Sequence, residues 1–185
     1  SAISSALNGL KSLGGALLDV GKQAITSYAD YEQLVGGVET LFGESAGVVQ
    51  DYASQAYKTA GMSANEYMET VTSFSASLIQ GLGGDTAKAS DYANRAITDM
   101  SDNANKMGTD IEMLQNAYGG FAKGNMTMLD NLKLGYGGTK EEMARLIADA
   151  SKMTDVQKEL GITVDASSMS FDNIVNAISV MQSSM

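Results

Sequence analysis

Over the first forty positions, apolar residues recur at alternating steps of three and four: Ile3, Ala6, Leu10, Leu13, Leu17, Val20, Ala24, Ser27, Tyr31, Leu34, Val38 and Leu41, with Ser27 the one polar member. A mean step of 3.5 keeps a single stripe against a partner helix, so the spacing predicts a long amphipathic, coiled-coil-like helix over 1–43. Leu7, Gly14, Gly21, Tyr28 and Val35 flank the stripe on one side, and Gly9, Ala16, Gln23, Asp30 and Gly37 on the other. These flanks lack the facing charge pairs of a two-stranded zipper. The seam therefore suits either an assembly of three or more copies or burial against the chain's own later helices. The candidate interface residues are Ile3, Leu10, Leu13, Leu17, Val20, Ala24, Tyr31, Leu34, Val38 and Leu41. Gly14–Gly15 and Gly36–Gly37 each predict a kink or break, since a helical glycine costs about 1 kcal/mol against alanine.

From residue 44 the spacing stays helical but divides into shorter runs set off by capping signals. Val49, Tyr52, Ala53, Ala56, Tyr57 and Ala60 make one stripe, closed by Gly61. Ser63 with Glu66 then has capping-box spacing, in which a hydroxyl and a carboxylate satisfy backbone N–H groups at the helix start. The following face, Tyr67, Val71, Phe74, Leu78 and Leu82, ends at Gly83–Gly84, and Asp85 caps a helix carrying Ala89, Ala93, Ala96, Ile97, Met100, Ala104 and Met107 up to Gly108. Thr109 with Glu112 and Thr139 with Glu142 repeat the box ahead of Ile111, Leu114, Tyr118 and Phe121, and of Met143, Leu146, Ile147 and Ala150. Between them 125–134 reads as a short helix and 135–138 as a turn. Residues 154–169 are the least helical stretch, with a brief extended piece at 162–164, and Ser170 opens a last helix through Phe171, Ile174, Ile178 and Met181. The pattern predicts an all-α chain without substantial sheet. Its parts are the long helix 1–43, a core of shorter antiparallel-type helices over 44–152, and a linker plus C-terminal helix over 153–185.

Composition narrows the function. Lys plus Arg number 12 against 22 Asp plus Glu, a net charge of -10, which disfavours direct tracking of nucleic-acid phosphates. Leu, Ile, Val and Phe make up only about one fifth of the chain, so the core is thin and relies on Ala, Met and Tyr. Proline is absent, and glycine, at 20 residues, supplies the helix breaks. His, Cys and Trp are also absent, which removes thiol nucleophiles, disulfides, the commonest zinc ligands and the usual neutral-pH general base. No uninterrupted apolar run reaches the length of a membrane span.

The glycine clusters 81–84 and 135–138 do not make a phosphate loop, because the Gly-Lys-Ser/Thr ending and a preceding strand are missing; they punctuate helices. Asp99 with Asp102 and Glu141 with Glu142 lack calcium-loop spacing and read as caps and solvated helix faces. Eight tyrosines and twelve methionines at helical spacing read as core or helix interface. No catalytic constellation, cofactor site or metal site follows, and the expectation is a non-enzyme.

The run Tyr31-Glu32-Gln33-Leu34-Val35-Gly36-Gly37-Val38-Glu39-Thr40-Leu41-Phe42 resembles the core region of tail tape measure proteins from long-tailed bacteriophages and prophages of Gram-positive bacteria. The likeness continues through 56–68, 74–78, 96–108 and 118–123. It is strongest at Thr127-Met128-Leu129-Asp130-Asn131-Leu132-Lys133-Leu134-Gly135-Tyr136-Gly137-Gly138-Thr139, where Leu129, Asp130, Asn131, Leu132, Gly135, Tyr136, Gly137 and Gly138 carry the phrase. The resemblance spans roughly 28–152. It implies an excised piece of a longer, largely helical virion protein lying in several copies in the tail-tube lumen, where its length sets tail length while tube protein polymerises around it. It further implies tail tube protein, tail tip proteins and tail assembly chaperones as partners, host cytoplasm during assembly and the virion tail afterwards. Ejection ahead of the genome, with contact at the host membrane, belongs to the same expectation. The alternative is a membrane-active helical protein or toxin forming an oligomeric channel.

Overall fold

In a computed structural model, the structure describes the backbone of residues 18–185 and the side chains of residues 30–185. Seam positions Ile3, Leu10, Leu13 and Leu17 and the Gly14–Gly15 pair lie outside the described residues, as do the side chains of Val20 and Ala24. Among the described residues there is no strand, and the chain is all-α. The helices are α1 (Leu18–Phe42), α2 (Ala46–Thr59), α3 (Ala64–Gly81), α4 (Thr86–Met107), α5 (Ile111–Ala122), α6 (Lys140–Ser151), α7 (Thr154–Leu160) and α8 (Phe171–Ser183), with 3-10 turns at Gly43–Ser45 and Leu129–Leu132.

Two helices organise the packing. α3 lies against α1, α2, α4 and α5, and α8 against α3, α4, α5, α6 and α7. Every residue from Asn173 to Gln182 is buried. Since successive helical residues turn by about 100°, such a run has no solvent-facing side. Phe74 of α3 meets Phe171 of α8 edge-on at 5.8 Å between ring centres, which joins the two central helices.

Glycine and capping residues divide the chain much as their spacing predicts. Ser63 Oγ accepts from Glu66 N (3.1 Å), Asp85 Oδ1 from Lys88 N (3.0 Å) and Thr139 Oγ1 from Glu142 N (3.1 Å). Gly108 ends α4 in the left-handed region at φ 68°. Where two capping residues compete, the structure departs from the expectation. Asp110, not Thr109, caps α5 by accepting from Glu112 N (2.8 Å), while Thr109 Oγ1 donates to the buried Asn103 Oδ1 (2.7 Å).

Three further departures have local causes. The expected helix over 125–134 shrinks to one 3-10 turn: Asn125 Oδ1 holds Thr127 N in a side-chain turn before it, and Lys133 at φ 54° ends it. Within 154–169 the chain forms α7, docked by Gln157, whose Nε2 donates to Ala150 O (2.8 Å) and Ser151 O (3.1 Å) and whose Oε1 accepts from Val164 N (3.1 Å). Residues 162–164 that follow belong to no helix or strand. At Gly36–Gly37 no break occurs, and α1 continues to Phe42, where Val38 and Phe42 are fully buried. Burying two large apolar side chains outweighs two glycine penalties of about 1 kcal/mol each.

Candidate functional site

The described part of the seam changes character along α1. Val38 is buried and Leu34 and Leu41 are half-buried against the chain's own core, whereas Tyr31 is 38% exposed. Asp30, Tyr31, Glu32 and Gln33 are all exposed. Asp30 and Gln33 border a groove of about 450 Å³ whose far wall is Asn65, Glu69 and Thr72 of α3, so at that turn α1 stands beside α3 without being buried by it.

The phrase from Leu129 to Gly138 is a fastened loop. Leu129 and Leu132 project from the 3-10 turn into the core, followed by Leu134 and Tyr136, all buried. Gly135 has φ 92°. Gly138 passes so close to the opposite limb of the loop that a Cβ there would lie 2.2 Å from Thr127 O. Asp130 is exposed and Asn131 half-buried. α6 clamps the loop from outside: Gly137 N donates to Glu142 Oε1 (3.1 Å), Arg145 donates to Gly135 O (3.1 Å), and its guanidinium lies 4.2 Å from the Tyr136 ring centre. The Tyr136 hydroxyl donates to Asp149 Oδ2 (2.6 Å) and lies 3.9 Å from Met181 Sδ of α8.

Electrostatics follow from these contacts. Arg145, and then the Gly137 N–H, hold the Glu142 carboxyl down at about 2, while burial and Asp149 push the Tyr136 hydroxyl up to about 12. Glu142 is thus a clamp and half of an ion pair (2.6 Å to Arg145).

A second polar cluster escaped the sequence reading. Arg95, Asp99 and Asn103 stand at four-residue intervals on α4, and Asn173, Asn176, Ser179 and Gln182 at three-residue intervals on α8. Arg95 donates to Asn176 Oδ1, Ser179 to Asp99 Oδ2, Gln182 Nε2 to Asp99 O (2.7 Å), and Asn103 Nδ2 to Gln182 Oε1 (3.1 Å) and Leu132 O (2.9 Å). The polar intervals on both helices were the available signal, and each set also passes for ordinary solvated helix surface. Arg95 and Asp99 form no ion pair with each other; those among the described residues are made by Arg145. Burial pushes the Asp99 carboxyl up to about 6 against the opposing pull of Ser179 and Arg95, and burial lowers the Arg95 guanidinium.

An open groove of about 850 Å³ runs between α3 and α5 and is bordered by Glu66, Glu69, Asp110, Glu112, Gln115 and Lys123. Among the described residues no cluster of three or more His, Cys, Asp or Glu side chains is placed to hold a metal ion. No helix there is long and apolar enough to cross a membrane. Most polar groups of the Arg95–Gln182 cluster bind one another across α4 and α8, so the arrangement fixes the positions of the two helices. No family model, no curated protein and no solved structure matches the chain.

Proposed function

We propose that the chain is a helical segment of a phage or prophage tail tape measure protein, acting in the tail tube to set length and scaffold assembly. The observation that carries this reading is the ordered resemblance across 28–152, strongest over Thr127–Thr139. Within that stretch Leu129, Leu132, Gly135, Tyr136 and Gly138 each meet a demand of burial or backbone geometry, so their joint presence is more than compositional coincidence. The absence of His and Cys from the sequence and the all-α architecture are in keeping with a structural role.

The test is made in the genome that encodes the chain. Mass spectrometry of purified tails should find the parent polypeptide, and in-frame removal of residues 1–185 should yield shorter tails or none by electron microscopy. Tails lacking the polypeptide, or tails unchanged in number and length after the deletion, would overturn the proposal.

A further inference from the structure

The joint between α4 and α8 holds a carboxylate where a helix interface is usually apolar or neutral. Although Asp99 as a residue is only partly buried, its Oδ2 receives the hydroxyl of Ser179, which is 1% exposed, and its own backbone carbonyl receives Gln182. On α4 the charged and titratable neighbours are Arg95 one turn before, Asp102 three residues later, and Tyr92 and Asp91 beside Arg95. From α5 comes the buried Tyr118. α8 contributes neutral groups alone at this level: Asn176, Ser179 and Gln182. The one cation, Arg95, is turned to Asn176 and leaves its Nε without a partner. An ionised Asp99 is thus held by a single hydroxyl, with its nearest cation occupied elsewhere, between helices about 80 residues apart in sequence.

We propose that the α4–α8 joint is a proton-operated latch, in which a neutral Asp99 grips the C-terminal helix and an ionised Asp99 loosens it. Ser179 suits both states, since a hydroxyl donates to a carboxylate and can rotate to accept from a carboxylic acid. The Asp99 carboxyl rises from an ordinary 3.8 to about 6 in the folded chain, so folding takes up a proton in the interval between those values. The resulting stabilisation is complete below the lower value and is lost as pH climbs through the upper one. Mildly acidic solution tightens the joint. At neutral pH, α8, which carries the buried Ile174, Val175, Ile178 and Met181, is held less firmly.

Amide hydrogen exchange of α8 in the 185-residue chain, corrected for intrinsic rates, reads the latch directly. Between pH 7.5 and 5.0 the opening equilibrium should fall about 10-fold, and Asp99→Asn should remove that change while keeping an oxygen acceptor for Ser179. Ser179→Ala, which withdraws the hydroxyl that favours the ionised form, should move the midpoint to higher pH. Wild-type α8 protection that is the same at both pH values overturns the proposal whether or not either variant folds. A pH dependence that persists in Asp99→Asn overturns it as well.

Discussion

Replacing Gly138 with alanine tests whether the phrase around it is structural. An alanine Cβ would lie 2.2 Å from Thr127 O, 2.9 Å from its carbonyl carbon and 3.3 Å from its Cα. All three are backbone atoms, so no side-chain rotation relieves the overlap, and the two limbs of the loop must part by about 1 Å against a close-packed interior. The limbs are tied by Leu129, Leu132, Leu134 and Tyr136 in the core and by the Arg145 and Glu142 clamp outside. Overpacking of this kind costs about 1–3 kcal/mol, and no side chain can yield because both partners are main chain. Gly36→Ala is the matched control: nothing lies within 4 Å of its Cβ position, and the residue is exposed inside α1. It should stabilise by about 1 kcal/mol, the ordinary glycine penalty in a helix. Urea unfolding followed by far-ultraviolet circular dichroism should therefore separate the variants by about 2–4 kcal/mol, with Gly138→Ala below the parent and Gly36→Ala above it. A Gly138→Ala midpoint equal to the parent's would refute the argument that the close approach holds the loop.

The seam should divide at the exposed turn 30–33 of α1. Val38→Asp buries an unpaired charge and should unfold the bundle, whereas Tyr31→Asp should leave the melting temperature unchanged. If copies of the chain join through the stripe, Tyr31→Asp and Leu13→Asp should lower the mass seen by light scattering; unchanged mass in both would remove self-association through these positions. Gln157→Ala deletes bonds to Ala150, Ser151 and Val164 and should cost about 1–3 kcal/mol, with protease cutting first between α7 and α8. Cutting unchanged from wild type would show that Gln157 does not dock this segment.

Where local rules dominate, the elements are legible from residue spacing. Ser63, Asp85 and Gly108 stand where capping needs them, and the apolar stripes of α3 and α4 reappear as buried Tyr67, Val71, Phe74 and Leu78 and as Ala89, Ala93, Ala96 and Ile97. Illegibility begins where a long-range contact outranks a local one. Thr109 has capping spacing, yet its hydroxyl is claimed by Asn103, and the cap passes to Asp110. α7 lacks a strong apolar stripe and is docked by the amide of Gln157, which pattern reading counts as solvated. The burial of α8 on all sides is hidden because Asn173, Asn176, Ser179 and Gln182 look like a wet face; their partners lie mostly on α4 and in the 163–168 loop. The third of the seam with described side chains is legible as apolar, though which surface covers Leu34 and Val38 depends on α3 folding back beside them.

The bundle also bears on how such a segment would act as a ruler. α4, the longest helix after α1, spans about 33 Å at 1.5 Å per residue. Residues 46–183 drawn out as one continuous helix would span about 200 Å. The folded bundle therefore converts sequence into length several-fold less efficiently than an open helix. Nested in-frame deletions in the parent gene distinguish the two states. Cuts confined to 46–183 shorten tails by about 1.5 Å per residue if the segment lies extended in the tube, and by far less if it stays folded. Cuts within α1 ahead of Leu34, which leave its buried Val38 and Phe42 in place, follow the 1.5 Å slope in both cases. Shared α1 slopes with unequal bundle slopes would place a folded nodule inside the tail, whereas equal slopes require assembly to open the α4–α8 joint. Slopes near zero for both regions would mean that neither part contributes to tail length.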